Sequence, residues 1–221
     1  MDSFNKDLTE EQRLMKQSCR NFIDRVVAPF LREEWQREWN MDPAERLPDR
    51  ILKAADDISI RTLGVPEKYG GVELNPETEI RSFAIIAEEI ARGDSGLADK
   101  LVQNWKVAVL LRNLAAEHLQ KKWFTRLVEE HGLLFAHCLT EPKGASDRWL
   151  PYNVPEAAMD TIAQKIDGGW KINGRKQFIS NGFDAGLYVV YANSKPGSGM
   201  LEGTSSFIVP RETPGLEVVR C

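Results

Sequence analysis

The chain has 221 residues and a formal net charge of −4, from 29 basic and 33 acidic side chains. This length suits two domains of ordinary size. The acidic balance provides no positive field to attract nucleic acid or an anionic membrane surface, so partners of these two kinds are disfavoured.

Cysteine usage and hydropathy indicate a soluble intracellular protein. Cys19, Cys138 and Cys221 are widely spaced and form neither a disulfide framework nor a Cys/His zinc pattern. The segment MDSFNKDLTEEQ lacks an apolar signal core, and no stretch approaches the roughly 20 apolar residues that a membrane span needs. Cytosol, mitochondrion and peroxisome all remain open as compartments.

The first predicted helix begins at Thr9, which can form a capping box with Gln12. Pro29 is expected to end this helix, because proline has no N–H to donate. The apolar residues at helical spacing between these points are Met15, Cys19, Phe22 and Val26.

Three more helices are predicted in the first part of the chain. The segment TEIRSFAIIAEEIARGD is expected to end at Gly93; its predicted buried face consists of Ile80, Phe83, Ala84, Ala87, Ile90 and Ala91. Two further helices are expected at roughly Leu97 to Leu114 and Ala116 to Glu130. The apolar stripes are interpreted as bundle core. The carboxylates interpreted as solvated helix surface include Glu33, Glu34, Glu88 and Glu89.

From Gly132 onwards the apolar period changes to two, which indicates strands. GLLFAHC is predicted to be a buried strand, and Asp167-Gly168-Gly169 is a hairpin turn signal. Further strands are predicted at Leu187 to Ala192 and Ser205 to Val209. Helices followed by strands indicate an α+β protein with segregated halves, and the chain lacks a GxGxxG dinucleotide motif.

The segment LTEPKGASD follows the first predicted strand and has the composition of a binding loop. Pro142 is expected to end the strand, and Gly144 allows an unusual backbone angle that can turn successive N–H groups toward one point. Such a nest binds anions, phosphates above all. Thr140 and Ser146 add hydroxyls that can donate or accept. An ordinary polar turn is the alternative interpretation.

The segment FISNG is the second candidate. If it lies in a strand, Phe178 and Ser180 share one face and present a flat apolar surface beside a hydroxyl. This pair suits a planar heteroaromatic ring, although core packing is an equally simple explanation. Among the histidines, His118 and His131 are expected to be solvated, and His137 is expected to be a satisfied imidazole within a strand. No general base is evident.

Several segments taken together resemble the acyl-CoA dehydrogenase family. LTEEQRLMKQSCRNFIDRVVAP resembles its opening helix, LGVPEKYGG a loop of the form Gly-(Ile/Val)-Pro-Glu-x-Tyr-Gly-Gly, and AEEIARGDSG its next helix end. HLQKKWFTRLVEEHGLLFAHCLTEPKGASD resembles the passage from the helical to the β domain, and INGRKQFISNG a strand-turn signature. These matches occur in order over nearly the whole chain.

The resemblance implies an α+β fold in which an N-terminal all-α helical domain, residues 1–131, precedes an incomplete antiparallel β-barrel-like domain, residues 132–221. It implies FAD as cofactor and α,β-dehydrogenation of an acyl-CoA substrate, with a carboxylate base and hydride transfer to the flavin. It also implies an electron-transferring flavoprotein or other electron acceptor as partner, and a homo- or hetero-oligomer. The family's C-terminal helical domain, which supplies the base, is expected to be absent from this chain.

The resemblance also assigns site residues. Phe178 would lie against the isoalloxazine ring and Ser180 near flavin N5, and Ser146 would also lie near the CoA thioester. The complete set implied for flavin binding is His137, Leu139, Thr140, Ala145, Ser146, Phe178, Ile179 and Ser180. One departure is that the family usually has Gly-Ala-Gly-Ser-Asp where this chain has Lys143 to Asp147, KGASD.

Alternative functions remain open at this stage. The chain could be a truncated or split-subunit protein that binds flavin or acyl-CoA without turnover. Relatives on this fold also use oxygen, as acyl-CoA oxidases, nitroalkane oxidases and N-hydroxylating monooxygenases do. The acyl group and the direction of the pathway, degradative or biosynthetic, are equally open.

Overall fold

A computed structural model describes residues 7–34, 49–144 and 153–219 of the chain. The chain divides into two compact units between Leu133 and Leu134. The first unit contains helices and the second contains a β-sheet, so the predicted order of an α+β fold is confirmed.

The first unit is helical. Its α-helices are α1 Glu10–Phe22, α2 Ala28–Glu34, α3 Asp49–Asp57, α4 Glu79–Ala91, α5 Ser95–Leu114 and α6 Glu117–Glu129. Short 3₁₀ turns, Ile60–Thr62 and Glu67–Tyr69, lie between α3 and α4. The core is built from apolar side chains of α1, α3, α4 and α5; α3 is a helix that was not predicted from the sequence. Among the helices that the structure describes, none has both the length and the apolar character needed to cross a membrane.

The start of α1 follows the prediction, but its end does not. The Gln12 N–H donates to Thr9 Oγ1 and the Thr9 N–H donates to Gln12 Oε1, each at 3.1 Å, which completes the capping box. The expectation that Pro29 ends the helix is wrong, because a π-helical turn, Ile23–Val27, leads directly into α2. Pro29 is therefore the second residue of α2, a first-turn position where a missing N–H is tolerated.

The buried face of α4 is rotated from the predicted one. Ile80 is 83% exposed, and Ala84 and Ala91 are also exposed. The buried positions are Glu79, Ser82, Ile85, Ile86, Glu89 and Ile90. Polar side chains occupy part of this face because neighbouring helices supply partners for them: Gln12 and Arg20 of α1 bond Ser82 and Glu89, and Arg112 of α5 bonds Glu79. Apolar periodicity cannot show such a pairing.

Glu89 is the clearest correction in the helical unit, since its side chain is only 3% exposed where a solvated carboxylate was expected. Gly93 follows α4 as predicted, but its importance is steric. A Cβ at Gly93 would overlap Cγ2 of Ile23 and lie 2.9 Å from its Cδ1. Glycine therefore lets the π-helical turn approach the end of α4 closely.

The second unit is a five-stranded sheet centred on its longest strand. The strands are β1 Leu134–Cys138, β2 Ile162–Ile166, β3 Gly169–Asn173, β4 Ala185–Asn193 and β5 Thr204–Pro210. A short helix, α7 Met200–Gly203, precedes β5. The β2–β3 hairpin turns at Asp167-Gly168, as expected, and β4 and β5 contain the two further predicted strands.

The sheet is mixed, where antiparallel pairing was expected. β4 runs parallel to β1 and antiparallel to β5, and it meets β2 in parallel through one residue pair, Ile162 and Asn193. The long connection from β1 to β4, which includes the β2–β3 hairpin, allows β4 to run in the same direction as β1. In the residues that the structure describes, the sheet is not closed, in keeping with an incomplete barrel.

Candidate functional site

The structure brings together two of the segments that sequence reasoning selected. Leu139 and Thr140 directly follow β1, and Phe178 lies in the connection between β3 and β4. The Gln177 N–H donates to the Thr140 carbonyl oxygen at 3.0 Å, which fixes the two segments side by side. The other predicted residues of the first segment, Ala145 and Ser146, lie outside the described residues.

The second segment is a turn, so the strand geometry predicted for it is wrong. Phe178 has φ +54° and Asn181 has φ +61°, both in the left-handed region that side chains usually avoid. Phe178 and Ser180 therefore do not share a strand face. Phe178 is 87% exposed. Ile179 is half-buried and packs against an apolar cluster of β1 and β4 side chains, which are Ala136, Cys138, Ala185 and Tyr188. Ser180 is also half-buried.

Phe178 thus combines a costly backbone conformation with an exposed ring. A left-handed non-glycine residue costs about 1–2 kcal/mol, and such residues concentrate at functional sites. Burial of the ring does not offset that cost in the described structure. A flat apolar ring held clear of the surface is suited to stacking on a planar ligand.

The turn after Phe178 is anchored to the sheet by side chains. The Asn181 Nδ2 group donates to the Phe135 carbonyl oxygen at 2.9 Å, and the Tyr188 hydroxyl donates to the Gly182 carbonyl oxygen at 3.0 Å. Asn181 is buried. The asparagine side chain therefore ties the turn to β1.

Glu141, which sequence reasoning did not single out, organises the end of β1. Its carboxylate is fully buried and accepts hydrogen bonds from the N–H groups of Asp160 at 2.7 Å and Thr161 at 2.8 Å. Lys176 Nζ donates to the same carboxylate at 2.8 Å and to the Leu139 carbonyl oxygen at 3.1 Å. Burial raises the pKa of Glu141, but the hydrogen bonds from Lys176, Thr161 and Asp160 outweigh it and hold the pKa below the ordinary value.

Gly174 makes this arrangement sterically possible. The chain leaves β3 at Asn173, and a Cβ at Gly174 would lie 2.6 Å from the Cα of Thr161 and overlap its side chain. Only glycine permits so close a crossing of two backbones. The crossing places Lys176 within reach of Glu141.

His137 has the surroundings expected of a satisfied imidazole. It is half-buried, its Nε2 lies 2.9 Å from the Tyr191 hydroxyl, and the two rings meet edge to face with centroids 4.8 Å apart. The neighbouring thiol of Cys138 is inert, because burial raises its pKa to about 12. His118 and His131 are exposed, as predicted, and His131 Nδ1 lies 3.0 Å from Asp56 Oδ2.

The strand end offers chemistry that fits a planar heteroaromatic cofactor. Phe178 provides an exposed aromatic face, and the hydroxyls of Thr140 and Ser180 lie on segments that the Gln177 hydrogen bond holds together. Within the described ranges, no group of three or more His, Cys, Asp or Glu side chains could hold a metal ion.

Comparison with known families identifies both units. Residues 9–131 match the acyl-CoA dehydrogenase N-terminal domain, and residues 136–221 match the acyl-CoA dehydrogenase middle domain. The chain belongs to the acyl-CoA dehydrogenase family. The resemblance carried by the ordered segments from LTEEQRLMKQSCRNFIDRVVAP to INGRKQFISNG is thereby confirmed.

Relatives within the acyl-CoA dehydrogenase family match the chain over almost all of its length. The cyclohex-1-ene-1-carbonyl-CoA dehydrogenase of Syntrophus aciditrophicus is 32% identical over 217 residues, which are 97% of this chain and 47% of the relative. The glutaryl-CoA dehydrogenase of Desulfococcus multivorans is 29% identical over 215 residues, 96% of this chain and 50% of the relative. The chain therefore spans about half the length of the curated relatives that it matches.

Solved structures of acyl-CoA dehydrogenases and related flavoproteins share the fold. Butyryl-CoA dehydrogenase from Megasphaera elsdenii superimposes with a TM-score of 0.76 at 27% identity, over 95% of this chain and 50% of that one. The FAD complex of PigA superimposes with a TM-score of 0.78 at 26% identity, over 97% of this chain and 51% of that one.

Proposed function

We propose that this chain forms the flavin-facing part of an FAD-dependent oxidoreductase that dehydrogenates an acyl-CoA thioester between its α and β carbons. The observation that carries the proposal is the hydrogen bond from Gln177 to Thr140, which joins the two segments expected to contact the flavin and leaves the Phe178 ring exposed beside them. Family membership supplies the reaction class.

Each proposed site residue has a role that follows from its position. Phe178 offers its ring to the isoalloxazine, and Ile179 anchors that turn in the sheet. The hydroxyls of Thr140 and Ser180 hydrogen-bond the polar edge of the flavin. The other proposed flavin-binding residues are His137, Leu139, Ala145 and Ser146, and Ser146 is also proposed to lie near the substrate thioester.

The reaction removes a proton from the α-carbon and a hydride from the β-carbon. FAD, when bound, is the hydride acceptor. The chain's own residues orient the flavin. Glu141 is not available as the base, because three donors already engage its buried carboxylate. We expect the base in the family's C-terminal domain, and an electron-transferring flavoprotein or another acceptor as the partner that reoxidises the enzyme within an oligomeric assembly.

FAD titration of the full 221-residue chain, followed by flavin fluorescence and gel filtration, tests the proposal. Phe178→Ala is expected to weaken FAD binding about 3- to 10-fold, because one aromatic contact is lost. Trp170→Ala is the matched control, since Trp170 is a partly exposed aromatic on β3 that contacts Phe207. Equal FAD affinity in Phe178→Ala and the unmutated chain would contradict the proposed role of the ring.

Anaerobic addition of CoA thioesters to the flavin-loaded protein tests the reaction. Bleaching of the oxidised flavin band is expected for the substrate, and release of hydrogen peroxide in air would identify an oxidase instead. A chain that retains FAD but is bleached by no thioester, with or without the family's C-terminal domain supplied as a second polypeptide, would be a flavin-binding module.

A further inference from the structure

Three segments of the second unit converge on the carboxylate of Glu141. The end of β1 provides Glu141 itself, the N–H groups of Asp160 and Thr161 come from the approach to β2, and Lys176 comes from the exit of β3. The carboxylate is fully buried, and the Lys176 side chain is only 10% exposed. A buried charge is stable only when its partners hold good geometry, so each donor is fixed relative to the others.

Both ends of this ion pair lie next to the proposed flavin-contacting residues. Thr140 directly precedes Glu141, and Phe178 follows Lys176 by two residues. Lys176 Nζ also donates to the Leu139 carbonyl oxygen, and the neighbouring Gln177 N–H donates to that of Thr140. The lysine therefore crosses from one segment to the other at the point where they meet.

We infer that Glu141 and Lys176 are positioning residues that hold Leu139–Thr140 and Gln177–Phe178 in register, so that the two segments form one binding surface for the flavin. This inference rests on the proposed function for the identity of the ligand. It adds a role for two side chains that do not themselves contact the cofactor, and it predicts that the pair controls FAD affinity through the geometry of the strand end.

The buried ion pair of Glu141 and Lys176 also stabilises the fold. The test therefore needs a measurement that reports the relative placement of the two segments and not overall stability. That measurement is amide hydrogen exchange at Gln177, whose N–H donates across the two segments. Exchange at Val189, in the middle of buried β4, reports general opening of the sheet. The ratio of the two exchange rates in the flavin-free chain separates local misplacement from loss of overall stability.

Glu141→Gln and Lys176→Met are the test variants of the full chain. Each is expected to increase exchange at Gln177 at least about 10-fold relative to Val189, and to raise the dissociation constant for FAD by a similar factor. Glu79→Gln is the matched control, because Glu79 accepts from Arg112 at 2.8 and 2.9 Å in the helical unit. It is expected to lower the unfolding midpoint without changing the Gln177 ratio or FAD affinity.

The outcomes separate this inference from the proposed function. Unchanged relative exchange at Gln177 in both test variants would overturn the positioning role, whether or not FAD binds. Faster exchange with unchanged FAD affinity would also overturn it, because the segments would then be misplaced without effect on the ligand. Failure of the unmutated chain to bind FAD would count against the proposed function, while the exchange ratio would still decide whether the pair holds the two segments in register.

Discussion

Arg20 and Glu89 join α1 to α4 through a bidentate ion pair. Arg20 Nε and Nη2 donate to the two carboxylate oxygens of Glu89 at 3.0 and 2.9 Å. Arg92 Nε donates to the same carboxylate at 2.8 Å, and Lys16 Nζ lies 3.7 Å away. Burial raises the pKa of Glu89, but the hydrogen bonds from Arg20 and Arg92 lower it by more than burial raises it. The pKa of Glu89 is therefore below the ordinary value.

Replacing Glu89 is therefore expected to destabilise the helical unit. Glu89→Gln keeps the shape but removes the charge that three cations surround, and we expect a loss of about 1–3 kcal/mol in the free energy of unfolding. The range extends down to about 1 kcal/mol because the two arginines are partly exposed, so water screens their attraction to Glu89. Urea denaturation measures it. Glu88→Gln, at an exposed position of the same helix, is expected to change stability by less than about 0.5 kcal/mol.

The same pair predicts a pH dependence. A carboxylate whose pKa is lowered by folding contributes stability that is fully present above its unfolded pKa and is lost as the pH falls through its folded pKa. For Glu89 and Glu141 the ordinary value is 4.5 and both folded values lie below it. The unmutated chain is expected to lose stability progressively below about pH 4.5.

The difference in unfolding free energy between the unmutated chain and Glu89→Gln should be constant from about pH 6 to 8 and should shrink below the ordinary glutamate pKa. Urea titrations at several pH values measure this difference. A difference that grows toward low pH would show that the charge of Glu89 is not stabilising.

The residues and turns that apolar periodicity misplaced share a physical cause. Apolar periodicity located α1, α4, α5, α6 and the strands, because each of these elements buries one face, but α2, α3 and α7 were not predicted. It could not place Glu89 or Glu141, since a carboxylate is buried only where residues distant in sequence supply donors. Pro29 and the segment Phe178 to Ser180 were misjudged because a π-helical turn and a left-handed turn have no period to detect.

The candidate site was predictable in part. The residue types in LTEPKGASD and FISNG, together with the family resemblance, selected Thr140 and Phe178, and the structure brings their segments together through Gln177. The pair of Glu141 and Lys176, 35 residues apart in the chain, becomes visible only in three dimensions. Charge patterning within a single segment would not have revealed it.

Two substitutions of Phe178 test whether the surrounding structure holds its backbone in the strained left-handed conformation. Phe178→Gly removes both the ring and the strain at φ +54°, whereas Phe178→Ala removes only the ring. We expect the glycine variant to be more stable than the alanine variant by about 0.5–1 kcal/mol, because relief of left-handed strain is partly offset by the greater freedom of glycine in the unfolded chain.

Both Phe178 variants should bind FAD more weakly than the unmutated chain, and to a similar extent. Thermal or urea unfolding of the FAD-free proteins gives the stability difference, and flavin fluorescence gives the affinities. Equal stability of the glycine and alanine variants would indicate that the turn relaxes when the ring is lost, and that the strain at Phe178 is not built into the surrounding structure.

Gly174→Ala tests the close crossing that brings Lys176 to Glu141. A Cβ at this position would overlap Thr161, so the backbone at the exit of β3 must move outward, at a cost of about 1–3 kcal/mol in stability. That movement should pull Lys176 away from the buried carboxylate of Glu141. The hydrogen bond from Gln177 and the affinity for FAD should both become weaker. The matched control is Gly169→Ala at the start of β3, where an added Cβ meets no atom within 4 Å. Urea unfolding measures the loss of stability, and amide exchange at Gln177 measures the change at its hydrogen bond. If Gly174→Ala has the same stability and the same exchange rate as the unmutated chain, Thr161 moves aside without disturbing the site.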